Sequence, residues 1–261
     1  MTNNEYLTSI LNKYSAKPLP PFSSQISILK SILSSWSSQC SAFIIDSGSR
    51  AKGTAISIAS DVDYLISLST ACDVNGGGLK GLFESCYERI KANYPTCRKQ
   101  NVSVRINLDG LQVDITPARR QTYSTSGDHW VYLSKTDSRK QTNVQRHISD
   151  VSMSGRLNEI KLMKIWRELH HLDFPSIYLE YLIINIILSG RSKLNTNLDE
   201  NTWYILNELS RNSSNPIWSR IVDPANSNNI LSELLSDQEK NQLIKQAKTS
   251  VNTNDWVKIV W

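Results

Sequence analysis

The sequence predicts an α+β protein of two lobes, a mixed sheet with helices followed by a mostly helical C-terminal lobe. Three observations carry that expectation. Short apolar runs, several alternating with period two, cluster between Phe43 and Ile115. Apolar residues at helical spacing dominate from Leu157 to the C-terminus. The segment from Gln121 to Gln145 sustains neither pattern. The boundary is expected near residue 150, with 1–150 as an N-terminal helix plus the sheet lobe and 151–261 as the helical lobe. A chain of 261 residues, 39% hydrophobic and with seven tryptophans, is long enough for two lobes.

Element by element, the opening 40 residues read as supporting helix. After Pro18, Pro20 and Pro21, Ser24 is placed to cap a helix carrying Ile26, Leu29, Ile32, Leu33 and Trp36 on one side. Phe43-Ile44-Ile45 reads as a buried strand, followed by the Gly48-Ser49 turn and a short helical piece near Ala51. Val62 to Leu68 is the next strand. Gly76-Gly77-Gly78 lacks the Gly-Lys-Ser/Thr ending of a phosphate loop and reads as a linker before a helix from about Leu79 to Tyr94. Val102, Val104, Ile106 and Leu108 alternate with polar residues, Asp109-Gly110 supplies a tight turn, and Leu111, Val113 and Ile115 alternate again, which predicts a hairpin. Pro117 is expected to end its second strand. Trp130 to Leu133 gives order to the crossing that follows. Beyond it, Leu157, Ile160, Met163 and Trp166 mark one helix, and a second starts at Pro175 and is capped by Gly190. Asp199–Leu209 and Ser236–Ser250 mark two more, flanking an irregular Asp223-Pro224-Ala225-Asn226 stretch.

Composition removes several function classes. There is no run of 18 apolar residues and the N-terminus is polar, so neither a membrane span nor a signal peptide is expected, and the chain reads as cytoplasmic. The four cysteines contain no C-x-x-C pair and read as free thiols; the four histidines add no metal spacing. A net charge of +5 is compatible with phosphate or nucleic-acid handling without demanding it.

The chemistry is concentrated between Gly48 and Asp63. Side chains alternate along a strand, so Asp61 and Asp63 point the same way. Two like charges on a half-buried face repel each other and resist desolvation, a conflict that a divalent cation, Mg²⁺ or Mn²⁺, resolves. If Val113 and Ile115 face the core, Asp114 projects from the other face as a third carboxylate. A pair of ions about 3.5–4 Å apart on such a cluster stabilises both the attacking and the leaving oxygen of a phosphoryl transfer. The Gly48-Ser49 turn offers backbone N–H groups and a hydroxyl to a triphosphate, and a side chain at Gly48 would hold that backbone away. Asp61, Asp63 and Asp114 are therefore the candidate catalytic and metal-binding residues.

Gly48-Ser49, eleven intervening residues, Asp61-Val62-Asp63 and the later Asp114 resemble the polymerase-β-type nucleotidyltransferase superfamily. Within it, the chain resembles the branch of CCA-adding enzymes, oligoadenylate synthetases and bacterial cyclic-oligonucleotide synthases (CD-NTases, cyclic-GMP-AMP synthase-like). Trp130 with Thr136-Asp137, the run Glu159 to Trp166, the segment Pro175 to Leu182 and Asp223-Pro224-Ala225-Asn226 are similar to later elements of that branch, in order. The resemblance spans roughly residues 40 to 245. It implies a polymerase-β-like palm with a helical lobe, and a template-independent nucleotidyltransferase that joins NTPs or dNTPs with release of pyrophosphate. The implied product is a cyclic or linear oligonucleotide signal in bacterial antiphage defence. It adds Lys161 and Lys164, meeting phosphate, and Asp223, near the nucleoside, to Gly48, Ser49 and Ser60 as nucleotide-binding residues. Implied partners are nucleoside triphosphates, with a short nucleic-acid acceptor or a nucleotide-responsive effector protein.

Plainer readings stand beside these. Lys161 and Lys164 also fit a solvated helix face, Arg50 and Lys52 read as solvated, Thr54 as a support for the loop through a hydrogen bond, Trp203 and Tyr204 as core, and Asp223 equally as the start of an Asx turn. Two other functions compete. One keeps the chemistry and extends an RNA or DNA strand, or modifies a protein or small molecule. The other is an inactive nucleotide-binding sensor, against which three retained carboxylates argue, because a binding module has no need of a repulsive acidic cluster.

Overall fold

The computed structural model describes residues 1–59, 61–74, 76–122 and 127–261. In chain order the elements begin with α1 (Asn3–Lys13), α2 (Ser23–Trp36), β1 (Phe43–Ser47), α3 (Gly48–Ala51), β2 (Val62–Leu68) and α4 (Gly78–Lys91). Next come β3 (Arg98–Lys99), β4 (Val104–Leu108), β5 (Leu111–Arg120), β6 (His129–Leu133), β7 (Ser138–Thr142), α5 (Val144–Ser152) and α6 (Leu157–Leu169). The chain closes with α7 (Ser176–Tyr181), α8 (Leu198–Leu209), β8 (Val222–Asp223), β9 (Asn226–Ile230), α9 (Asp237–Thr253) and α10 (Trp256–Ile259). These form two compact units. One comprises Pro18–Lys52 and Asp61–Ile148; the other comprises Met1–Lys17, Gly53–Ser60 and Ser149–Trp261. The N-terminal helix and residues 53–59, read from the sequence with the sheet lobe, thus pack with the helical unit.

The first unit is a mixed sheet with strand order β1-β2-β5-β4-β3, extended by β6 against β5 and β7 against β6. β5 is its longest strand and pairs in parallel with β2. Its other edge is shared, by β4 along Leu111–Ile115 and by β6 along Ala118–Arg120. Pro117 therefore does not end the strand. It stands opposite Ile66 in the parallel ladder with β2, at the point where the other edge of β5 passes from β4 to β6. The β4–β5 turn is as tight as its sequence demands, with Asp109 at φ 49° and Gly110 at φ 92°.

Period two sorts the sheet into faces. Val62, Tyr64, Ile66 and Leu68 of β2, Val104, Ile106 and Leu108 of β4, and Leu111, Val113 and Ile115 of β5 share one core with Leu29 and Leu33 of α2 and Leu82, Phe83, Cys86 and Ile90 of α4. The opposite face carries a smaller cluster of Leu65, Ala118 and Val131, with Ile45, Val102 and Val144 beside it. Each large side chain buried in such a core contributes roughly 1.5–3 kcal/mol.

Antiparallel pairing of β1 with β2 also brings the residues before β1 next to those after β2. Ser69 N–H donates to the Cys40 carbonyl at 2.9 Å, and Cys40 and Cys72 are joined by a disulfide, their Cα atoms 5.2 Å apart. The reading of all four cysteines as free thiols holds only for Cys86 and Cys97, both buried. A separation of 32 residues carried no hint of the bond.

The helical unit buries Leu7 and Ile10 of α1 with Ile160, Leu162, Met163, Ile165 and Trp166 of α6, and Leu179, Leu182, Ile205, Leu206, Leu209 and Leu243 from later elements. α7 runs on as a π-helical stretch, Leu182–Ile187, before Gly190 at φ 76° stops it. The carbonyls left at that end are taken by Arg156, 2% exposed, which donates to Leu188 at 3.0 Å and to Arg191 and Ser192 at 2.5 Å each. Glu159 faces the same guanidinium at 3.3 Å and accepts from Asn201 at 3.0 Å, so the buried charge is matched. No helix among the described residues is long and apolar enough to cross a membrane.

Candidate active site

The acidic side chains meet on the sheet face turned away from α2 and α4. Parallel pairing sets Asp63 of β2 directly beside Asp114 of β5, and Asp61 precedes Asp63 by one side-chain repeat. Antiparallel pairing sets Arg105 of β4 opposite Asp114 on its other side. Arg105 grips Asp114 with two prongs, Nε to Oδ1 at 2.8 Å and Nη2 to Oδ2 at 2.6 Å. The same Nη2 reaches Asp61 Oδ2 at 2.7 Å, and Nη1 donates to Gln112 Oε1 at 2.8 Å. The guanidinium thus bridges two of the three carboxylates. As the side chains stand, no group of three or more His, Cys, Asp or Glu among the described residues is arranged to hold a metal ion.

Gly48 supports this arrangement from the β1 side. Its φ is +64°, and a Cβ there would lie 1.8 Å from Asp63 Oδ2, so only glycine lets the turn and the carboxylate approach this closely. α3, which begins at Gly48, is a single turn of four residues. Beside it, Arg50 keeps a buried Nε with no hydrogen-bond partner, and burial lowers its pKa.

The electrostatics follow from crowding. Asp63 is pushed up to about 6, first by burial and then by Asp114 and Asp61, with Lys52 and Arg105 opposing. Asp61 is raised in the same direction, again first by burial, against the pull of Arg105. The pKa of Arg105 is raised, first by its hydrogen bonding to Asp114. An all-carboxylate oxygen set that is under-neutralised by protein suits a hard divalent ion such as Mg²⁺ or Mn²⁺, so the residues present fit that group.

The remaining expected residues are distributed as follows. Ser49 follows Gly48 and is partly exposed, whereas Ser60 lies outside the described residues. Lys161, Lys164 and Asp223 belong to the helical unit. Lys161 is partly exposed on α6. Lys164 is 1% exposed and its ammonium donates to the Thr54 carbonyl at 2.9 Å, so in this structure it holds residue 54 and is neither solvated nor open to a phosphate. Thr54 supports its loop as expected, its hydroxyl donating to the fully buried Glu180 at 3.0 Å. Asp223 makes the Asx turn, accepting from Ala225 N–H at 2.9 Å and from Asn229 Nδ2 at 2.7 Å. Lys52, read as solvated, is 8% exposed. Arg105 and Gln112 were missed. The available signal was their position at the polar places of the same hairpin that yields Asp114.

This sheet and its helices form an α+β fold with the three carboxylates on one face. The fold is that of the bacterial CD-NTases. No protein-family model matches the sequence, and no curated protein matches it. Among solved structures, Escherichia coli MS115-1 CdnC with ATP superposes with a TM-score of 0.72 at 19% identity, over 96% of this chain and 91% of that one. The Bradyrhizobium diazoefficiens CD-NTase CdnG in complex with GTP gives 0.70 at 9% identity, over 99% and 95%. Escherichia coli DncV in its 3′-deoxy GTP bound form gives 0.63 at 13% identity, over 81% and 63%.

Proposed function

We propose that this chain is a template-independent nucleotidyltransferase that joins nucleoside triphosphates, releases pyrophosphate, and makes a cyclic or linear oligonucleotide signal in bacterial antiphage defence. The observation that carries the reading is the register of Asp63 beside Asp114 on parallel strands, with Asp61 on the same face and Gly48 closed against Asp63. Asp61, Asp63 and Asp114 would hold the divalent ions, which when bound supply charge neutralisation for the triphosphate and a more acidic acceptor hydroxyl. The chain's own residues do the rest. Gly48 keeps the backbone of the turn clear for phosphate oxygens, and Ser49 adds a hydroxyl donor. Asp114 would orient the attacking hydroxyl of the acceptor. ATP and GTP in the CdnC and CdnG structures favour purine nucleotides as the first substrates to try.

The test incubates purified protein with each labelled NTP and dNTP and Mg²⁺ or Mn²⁺, without primer. Phosphatase and nuclease digestion then separates cyclic, linear and protein-attached products. Pyrophosphate release that is lost in a folded Asp63→Ala variant is the expected result. Turnover retained in that variant would remove the assignment, and no turnover with any nucleotide would return the chain to a nucleotide-binding role.

A further inference from the structure

The acidic face carries its own counter-charge. Of the four hydrogen bonds that the Arg105 guanidinium makes among the described residues, three end on carboxylates proposed to hold metal, and the fourth, to Gln112, ties it to β5 independently of them. The Arg105 side chain is 26% exposed, against 34% for Asp61 and 15% for Asp114, so the three form a half-buried ion cluster at the rim of the face. Nη2 is shared between Asp61 and Asp114. Asp61 can therefore be given up while the two-pronged grip on Asp114 and the bond to Gln112 remain.

We propose that Arg105 is a built-in counter-cation that holds Asp61 and Asp114 together before metal arrives, and that a divalent ion must displace it from Asp61 to bind. The inference rests on the nucleotidyltransferase reading of the three carboxylates. It makes Arg105 a positioning residue with a defined electrostatic consequence. A fixed positive charge beside the site lowers affinity for free cations, while an ion carried by a triphosphate brings its own negative charge and suffers less. Even with water-like screening, a unit charge roughly 6 Å from a dication changes its binding about tenfold.

The experiment titrates Mn²⁺ alone, without nucleotide, into metal-free protein and follows free Mn²⁺ by electron paramagnetic resonance. Arg105→Gln is expected to bind Mn²⁺ at least about tenfold more tightly than wild type. Arg105→Lys, which keeps the charge and loses the fork, is expected to fall between them. Asp63→Asn must abolish the tight binding in both backgrounds, which marks the measured site as this one. Arg105→Gln binding Mn²⁺ no better than wild type overturns the counter-cation role while leaving the metal reading intact. Binding that is indifferent to Asp63→Asn overturns both. Should Arg105→Gln fail to fold, Arg105→Met removes the same charge and must bind Mn²⁺ about tenfold more tightly than wild type, and equal affinity overturns the proposal.

Discussion

Asp63 should weaken the fold that carries it. Its carboxyl, buried against Asp114 and Asp61, is raised from the ordinary 3.8 to about 6. The folded chain therefore holds more protons than the unfolded one between those values. Stability falls as pH rises across that window and is level above it. The difference of about 2.2 pKa units, at about 1.36 kcal/mol each, gives about 3 kcal/mol, or about 2 after allowing for the residue's partial exposure. Asp63→Asn removes the charge with little change of shape. In EDTA at pH 7.5 the variant should melt roughly 4–8 °C above wild type, and near pH 4 the two should coincide. Differential scanning fluorimetry across pH 4–8 measures both. Saturating Mn²⁺ should narrow the gap at pH 7.5 by stabilising wild type alone. A variant that melts at or below wild type at pH 7.5, or a gap that does not shrink on acidification, would refute the reasoning that this carboxylate is held against electrostatic cost.

Two further outcomes follow from the geometry. Gly48→Ala places a methyl 1.8 Å from Asp63 Oδ2 at a φ of +64°, so it should lose at least about 2 kcal/mol in a urea melt and most of the pyrophosphate-releasing activity. Lys164→Met leaves the Thr54 carbonyl without its donor and deletes a buried cation, which should cost about 2–4 kcal/mol. The KM for nucleotide in its folded fraction should stay within about twofold of wild type, whereas a tenfold rise in KM without loss of stability would restore the phosphate-contacting reading of that lysine.

What could be read without a structure was whatever neighbouring residues decide between themselves. The alternation of Val104, Ile106 and Leu108 with Leu111, Val113 and Ile115 about Asp109-Gly110 sends Asp114 to the polar face, and a two-residue spacing sends Asp61 and Asp63 the same way. The same logic reached the helical run of α6, but left Asp223 evenly between a nucleoside contact and the Asx turn that it makes. It missed Arg105 because a lone arginine at a polar strand position carries no mark of what it faces. It left Lys164 between solvent and phosphate because a lysine within α6 shows its burial only once Thr54 lies against it.

The sequence by itself determined the sheet-then-helix order and the alternation of faces along β2, β4 and β5, since backbone geometry fixes periodicity within a few residues; Phe43-Ile44-Ile45, expected to be buried, is instead an edge strand with Phe43 61% exposed. Only the tertiary structure decided the parallel register of Asp63 with Asp114, the bridge of Arg105 from Asp114 to Asp61, the bond between Cys40 and Cys72, and the packing of α1 and residues 53–59 with the helical unit. Those features join residues far apart in the chain. Their geometry comes from how whole strands and cores settle together, which no local pattern encodes.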